Sequence, residues 1–143
     1  METELTIALK NDLGELERVS TQLDAFGRQH GLSNAALFEL HLALDELLTN
    51  VVSYGYADNA EHEIVVRLTI APPDGGRCIE VTIEDDARPF NPLEALAPDV
   101  DAPVAERPIG GLGIYLVRRV MDDLEYRRER GKNVLVMRKT VAG

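Results

Sequence analysis

The sequence contains little that could hold the chain together other than a hydrophobic core. Its single cysteine, Cys78, excludes an intramolecular disulfide, and apolar residues alternate around it as in a strand. No histidine lies near Cys78 in sequence, so a half-buried thiol is a better interpretation than a nucleophile. The chain does not begin with a basic segment followed by an apolar stretch, and no run approaches the roughly 18 apolar residues of a membrane-spanning helix. We therefore expect a cytoplasmic protein with no membrane partner.

Positive charge is also scarce. The 15 lysines and arginines are outnumbered by 25 aspartates and glutamates, which gives a formal net charge of −10. A surface of this charge repels the phosphate backbone, so we expect no nucleic-acid partner. Repeats and low-complexity tracts are absent from the sequence, and 45% of the residues are hydrophobic. Residues 1–143 are therefore expected to form a single domain with a core that needs no disulfide or metal.

Two helices are predicted in the first third of the chain, after a short strand at residues 5–9. Asp12, with a glutamate three residues later, forms a capping pattern that opens the first helix, and Gly31 closes it. Ser33 or Asn34 caps the second helix. Leucines recur in this second helix at spacings of three and four, which predicts a buried stripe.

The period then changes to the alternation that is typical of strands. Apolar residues alternate over residues 64–70 and 79–83, and "PPDGG" between them predicts the turn of a β-hairpin. Prolines and acidic residues dominate the segment after Phe90, which predicts an irregular loop. Long ordered loops in small domains are often lids, so we expect residues 93–108 to close over a ligand.

Helical spacing resumes in "GGLGIYLVRRVMDDL", and "YRRERGKNVLVMRK" predicts two strands around Gly131. The order of elements is therefore strand, two helices, hairpin, loop, helix and hairpin. Antiparallel strands with helices grouped between them predict an α+β two-layer sandwich rather than a doubly wound parallel sheet.

Two polar side chains lie one turn apart on the second helix. Glu46 and Asn50 project from the side opposite the apolar stripe, so they can share a ligand. Two polar residues on a solvated helix face give the same pattern, and spacing alone favours that interpretation.

The segment "IEDDARPFNP" places Asp85 and Asp86 where the second hairpin strand ends. A carboxylate at a strand end can accept a hydrogen bond from the exocyclic amine of a ligand. An exposed aspartate in a turn is the commoner reason for the same chemistry, so both interpretations stay open.

Three glycines open the last helix in "RPIGGLGIYLVRR". Gly110, Gly111 and Gly113 allow a ligand to approach the backbone closely, and a helix N-terminus presents free N–H groups and a positive dipole end. This arrangement binds phosphate oxygens, although a close-packed turn accounts for the same residues.

Taken in series, these three segments resemble the ATP-binding domain of the GHKL superfamily, and specifically its short bacterial branch of anti-sigma factor serine/threonine kinases used in partner switching. The segment "ALDELLTNVVSYGY" resembles the N box of that family, "IEDDARPFNP" its first glycine box, and "GGLGIYLVRRVMDDLEYR" its second. The resemblance implies the Bergerat fold, a mixed and mostly antiparallel sheet covered on one face by helices. It also implies ATP and Mg²⁺ as cofactors.

The resemblance further implies a role for each site residue. Glu46 corresponds to the catalytic base, Asn50 to the magnesium ligand and Asp85 to the carboxylate that reads adenine. The phosphate loop corresponds to Gly110, Gly111, Leu112 and Gly113. Ala87 and Pro89 stand where the first glycine box usually has glycines, and both restrict the backbone at the adenine site.

The resemblance implies a kinase that phosphorylates an anti-sigma-factor antagonist of the STAS type, binds a sigma factor or other regulator, and forms a homodimer. The alternative is a non-catalytic, nucleotide-responsive module that sequesters a regulator; Glu46 and Asn50 favour the kinase and Ala87 favours the module. The catalytic half of a histidine kinase is a weaker interpretation, because we find no pair of dimerising phosphoacceptor helices before the domain. The three histidines are assigned no role.

Overall fold

The computed structural model describes residues 3–58, 60–71, 77–91 and 111–141. These residues form five strands and three α-helices. The strands are β1 (Thr3–Lys10), β2 (Glu63–Ala71), β3 (Arg77–Asp85), β4 (Asp123–Glu129) and β5 (Lys132–Val141). The helices are α1 (Leu16–Gln29), α2 (Asn34–Tyr54) and α3 (Gly111–Val120). The predicted turn at residues 72–76 and the predicted lid at residues 93–108 lie outside the described residues.

The strands form one sheet in the order β1-β2-β3-β5-β4. Each of the four pairings between the described strands is antiparallel. This arrangement confirms the predicted α+β architecture and both hairpins. Since β5 lies between β3 and β4, the last of the described strands is an interior strand of the sheet. Asp85 at the end of β3 therefore has Ile64 on one side and Asn133 on the other.

Alternate residues of the sheet pack against the helices on one face. In β3 these are Ile79, Val81 and Ile83, each at most 2% exposed. They meet the predicted leucine stripe of α2, where Leu44 is 1% exposed and Leu48 is fully buried. The same alternation places the last residue of β3 on the helix-facing side of the sheet.

The helix starts follow the sequence in part. Ser33 caps α2, and its Oγ accepts a hydrogen bond from the N–H of Ala36 at 3.1 Å. Asp12 caps a 3-10 turn, Leu13–Glu15, rather than α1 itself. Glu15 does not complete a capping box with Asp12, because its carboxylate accepts a hydrogen bond from the N–H of Lys10 at 3.0 Å.

The end of α1 and the last hairpin use left-handed backbone. Gly31 follows α1 with a φ of 73°, as its predicted role in closing the helix requires. Between β4 and β5, Arg130 and Gly131 have φ values of 52° and 79°. Two consecutive left-handed residues give the twist that a tight hairpin needs, which accounts for the turn.

Helix α3 ends at Val120, whereas the predicted helical segment continued through "MDDL", residues 121–124. The N–H of Asp122 donates to the carbonyl of Arg138 at 2.9 Å, so the backbone at this position pairs with β5 and is no longer helical. Leu124 therefore belongs to β4 and not to the helix. In the part of the chain that the structure describes, none of the helices combines the length and apolarity needed to cross a membrane.

Candidate functional site

A cavity of about 330 Å³ lies between the C-terminal half of α2 and the helix-facing side of the sheet. Leu47, Asn50 and Val51 of α2 form one wall. The opposite wall comes from β3, β4, β5 and residues 85–90, which begin at the end of β3. We call residues 85–90 the adenine loop after the role that the family resemblance implies for them. A volume of this size lies within the range that binds small organic ligands.

Asp85 lies on the wall of this cavity and is only 4% exposed, so the interpretation as an exposed turn residue is wrong. Its Oδ1 accepts hydrogen bonds from the N–H of Ala87 at 3.1 Å and from Nδ2 of Asn133 at 2.9 Å. Burial raises the pKa of Asp85, while these two hydrogen bonds act in the opposite direction. Because both described donors reach Oδ1, the other oxygen is the acceptor available to a ligand.

Ala87 keeps the adenine loop in a shape that needs no glycine. Among the described non-glycine residues only Arg130 has a left-handed backbone, so neither Ala87 nor Pro89 is strained in this way. Ala87 is 3% exposed, and its methyl group packs against Gly55 at the end of α2. A Cβ added to Gly55 would lie 2.8 Å from that methyl carbon and 2.5 Å from the carbonyl oxygen of Val51. The small residue that this contact requires therefore lies at position 55.

Asn133 is a site residue that the sequence analysis missed. Its Nδ2 donates to Oδ1 of Asp85 and to the carbonyl of Arg88, each at 2.9 Å. Its Oδ1 accepts from the N–H of Phe90 at 3.3 Å and from the hydroxyl of Tyr126 at 2.5 Å. A single amide thus ties the adenine loop to β4 and β5.

One signal in the sequence could have found Asn133. It lies two residues before Leu135 and four before Met137, so its side chain is on the same face of β5 as theirs, and that face is covered by the helices. A carboxamide in that series predicts a buried polar residue that needs partners.

The side chain of Arg128 also holds the adenine loop to β4, because it donates to the carbonyl of Ala87 at 2.8 Å.

Asn50 lies on the helix wall of the same cavity. Its Nδ2 is buried and has no hydrogen-bond partner among the described residues. An unpaired buried amide typically costs about 1–3 kcal/mol, so this group needs a partner from outside the described structure. The solvated-face interpretation of Asn50 is therefore wrong. Glu46, one turn earlier on α2, is half-buried and is not among the residues that line the cavity.

The predicted phosphate loop is described in part. Gly110 lies outside the described residues. Gly111 is the first residue of α3, so Gly111, Leu112 and Gly113 form its first turn, as expected for a helix start. Helices α2 and α3 are in contact, which places α3 beside the helix that carries Asn50. The binding of phosphate at this turn stays a prediction.

An antiparallel sheet with helices on one face and a cavity between the two layers is the architecture expected of the Bergerat fold. A model of the family described as "Histidine kinase-like ATPase domain" matches residues 9–139. The chain therefore belongs to the histidine kinase-like ATPase domain family, which confirms the resemblance found in the three sequence segments.

Similar proteins include bacterial serine kinases. Serine/threonine-protein kinase BtrW of Bordetella bronchiseptica is 31% identical over 100 residues, which cover 70% of this chain and 68% of BtrW. Serine-protein kinase RsbW of Listeria monocytogenes is 28% identical over 137 residues, 92% of this chain and 83% of that kinase. A crystal structure of the RsbU and RsbW domains of Rv1364c from Mycobacterium tuberculosis matches with a TM-score of 0.64. That match is 14% identical, covers 96% of this chain and 32% of the other, and shows the fold alone.

Proposed function

We propose that this chain binds ATP with magnesium in the cavity and acts as a serine/threonine protein kinase. The observation that carries the proposal is Asp85, a buried carboxylate on the cavity wall whose orientation is fixed by two donors. The similarity to kinases named for serine supports the hydroxyl-directed activity. The substrate we propose is an anti-sigma-factor antagonist of the STAS type.

Asp85 accounts for the proposed preference for adenine over guanine. Its free oxygen accepts the N–H of the exocyclic amine of adenine, whereas guanine would place a carbonyl oxygen at the same position. Two acceptors that face each other in a buried site repel, and sites of this kind reject the wrong partner strongly. The proposal therefore includes a preference for ATP over GTP.

Asn50 fits the metal that the family implies. Mg²⁺ prefers oxygen ligands and is commonly held by one or two protein groups together with substrate phosphates and water. A half turn of the Asn50 amide exchanges its nitrogen and oxygen, so its unpartnered atom at the cavity can present oxygen. When bound, the metal would neutralise charge on the phosphate oxygens. The described residues contain no cluster of three or more His, Cys, Asp or Glu side chains suited to a metal.

Glu46 is the proposed base. It lies one turn before Asn50 on the same face of α2, farther from the end of the helix where Gly55 meets the adenine loop. In that position Glu46 would accept the hydroxyl proton of the substrate serine. The serine oxygen would attack the γ-phosphorus, and ADP would leave. The first turn of α3 would receive the phosphates through its N–H groups.

The remaining parts of the proposal concern the cell. We infer a cytoplasmic homodimer that also sequesters a sigma factor or another regulator. The second candidate function is a nucleotide-responsive binding module without catalysis. It is favoured by one observation, since Glu46 does not line the described cavity.

The two candidates are separated by a pair of measurements. Binding of ATP with magnesium is followed by calorimetry, and transfer of labelled γ-phosphate is followed on purified STAS-type antagonist proteins. Binding with transfer to a serine or threonine supports the kinase, whereas binding without transfer to any of them favours the module. Failure to bind ATP, ADP or GTP at millimolar concentration would contradict both.

A further inference from the structure

A histidine lies between two carboxylates at the edge of the adenine loop. The Nε2 atom of His62 lies 2.8 Å from Oδ1 of Asp58, and its Nδ1 atom lies 3.1 Å from Oδ2 of Asp86. The imidazole also stacks on the ring of Tyr56, with centroids 4.3 Å apart and planes at 18°. The hydroxyl of Tyr56 donates to the other oxygen of Asp86 at 3.1 Å. We call these four residues the His62 bracket.

The geometry of the bracket sets the charge of the imidazole. An ionised carboxylate can only accept hydrogen bonds, and a neutral imidazole has one N–H donor. Hydrogen bonds from both ring nitrogens to carboxylates therefore require the doubly protonated imidazolium. The hydrogen bond that the ring donates to Asp58, and then the one it donates to Asp86, raise the pKa of His62, in agreement with this state. Stacking on the face of Tyr56 also favours a cation.

The main chain of His62 is a fixed support for the bracket. Its N–H donates to Oδ1 of Asn11 at 2.8 Å, and its carbonyl accepts from the N–H of Asn11 at 3.1 Å. On the other side, the N–H of Arg88 donates to the carbonyl of Gly55 at 3.1 Å. The bracket therefore joins the adenine loop to the segment between α2 and β2. Asp86 is the next residue after Asp85, so the bracket lies directly beside the carboxylate that is proposed to accept the hydrogen bond from adenine.

We propose that protonated His62 is a positioning residue of the nucleotide site, so that the chain binds nucleotide more tightly when this histidine is charged. The proposal rests on the nucleotide-binding function proposed above. Loss of the proton leaves one ring nitrogen facing a carboxylate as a second acceptor. One of the two contacts is then lost. Loss of the contact with Asp86 removes a tie of the adenine loop directly, and loss of the contact with Asp58 leaves the imidazole that holds Asp86 less firmly fixed.

Other charges near His62 are largely paired with one another. Lys10 lies 3.4 Å from Glu61, and Arg18 lies 3.1 Å from Glu15. These four residues and His62 line a second cavity, separate from the nucleotide cavity, and Glu63 is the further charged residue on its wall. The local balance is therefore negative without the imidazolium. The bracket is intact below the ordinary pKa of histidine near 6.5 and is lost as the pH rises through the raised value.

The test is the affinity for ADP measured by calorimetry between pH 6 and pH 9 in three chains. The parent chain should lose about three- to tenfold in affinity as His62 loses its proton, a coupling of ordinary size. His62→Gln should lack this change. His41→Gln is the matched control, because His41 lies 3.8 Å from Asp24 and does not line the nucleotide cavity. Ionisation of ADP affects all three chains equally, so the difference between profiles belongs to His62.

Two further measurements do not depend on the stability of His62→Gln. Linkage is reciprocal, so saturation with ADP should raise the pKa of His62, followed by NMR, by about 0.5–1 units for a three- to tenfold effect. Asp58→Asn removes one carboxylate outside the adenine loop. It should lower this pKa and move the midpoint of the affinity profile to lower pH.

Each outcome supports or overturns the proposal. Parallel affinity profiles for the parent chain and His62→Gln, or an unchanged pKa of His62 on binding, would make the bracket a purely structural ion pair. In that case nucleotide binding still stands. If none of the chains binds ADP at any pH, the nucleotide-binding function fails and the positioning role fails with it.

Discussion

The replacement Asp85→Asn tests the adenine site most sharply, because the structure fixes how the new amide must lie. The N–H of Ala87 and Nδ2 of Asn133 both point at Oδ1 of the present carboxylate. Only an oxygen can accept them, so the amide nitrogen must take the position of Oδ2. The cavity then presents a donor where it presented an acceptor.

The magnitude follows from this exchange. A hydrogen bond to a charged group contributes about 1.5–3 kcal/mol, and the new donor opposes the amine of adenine. Affinity for ATP should fall about 10- to 150-fold. With ATP at 100 times the Kd of the parent chain, nucleotide adds about 2.7 kcal/mol to the free energy of unfolding. The same concentration should add only about 0.3–1.4 kcal/mol to the variant.

The affinity of Asp85→Asn for ATP should fall, but its stability without nucleotide should not. Burial is the main reason that the pKa of Asp85 is raised. A raised pKa in the folded state means that stability is lost as the pH rises through that value, and asparagine has no such loss. Without nucleotide, Asp85→Asn should therefore unfold at or above the temperature of the parent chain at pH 7.

The assay is thermal unfolding with and without ATP, repeated with GTP. We expect the preference for ATP over GTP to narrow, since the amide can donate to the carbonyl of guanine. Glu84→Gln is the control, because Glu84 precedes Asp85 on the opposite face of β3 and pairs with Arg67 at 3.3 Å. Equal ATP affinity in the parent chain and in Asp85→Asn would refute the adenine role.

Three further replacements test the other site residues. Glu46→Gln should keep the affinity for ATP with magnesium within a few-fold but abolish phosphate transfer, since the isostere lacks a basic oxygen. Unchanged transfer would remove Glu46 from the mechanism. Asn50→Ala should abolish the difference between magnesium and EDTA in the stabilisation by ATP, and a surviving difference would contradict the metal role. Asn133→Ala leaves buried groups of the adenine loop unpaired, so urea unfolding should show a loss of about 1–3 kcal/mol together with weaker ADP binding. Its exposed neighbour serves as the control in Lys132→Ala, and equal losses in both would contradict the anchoring role.

Local patterns were sufficient to predict most of the elements. The cap at Ser33 and the leucine stripe of α2 depend on neighbours within a few residues, as does the left-handed closure at Gly31. The same holds for the alternation of the hairpin strands. The resemblance to a known family then supplied the expected roles of Asn50 and Asp85, which the structure places on one cavity.

The contacts that shape the site could not be predicted in this way. Asn133 meets Asp85 across 48 positions of sequence, and the pairing depends on the register between β3 and β5. The fit of Ala87 to Gly55 also depends on tertiary packing, so the alanine alone did not predict this contact or the absence of a left-handed backbone at position 87. His62 is similar, because its two carboxylates come from either side of β2 and β3 in sequence.

The central position of β5 has a consequence for the order in which the chain is made. Until residues 132–141 have left the ribosome, β3 has an unpaired edge and Asp85 lacks the amide that orients it. Exposed strand edges pair readily with other chains, so the chain is open to aggregation at this stage of synthesis. Nucleotide that recognises the oriented Asp85 would therefore bind only after the last strand is inserted, and it would favour chains that have completed the sheet.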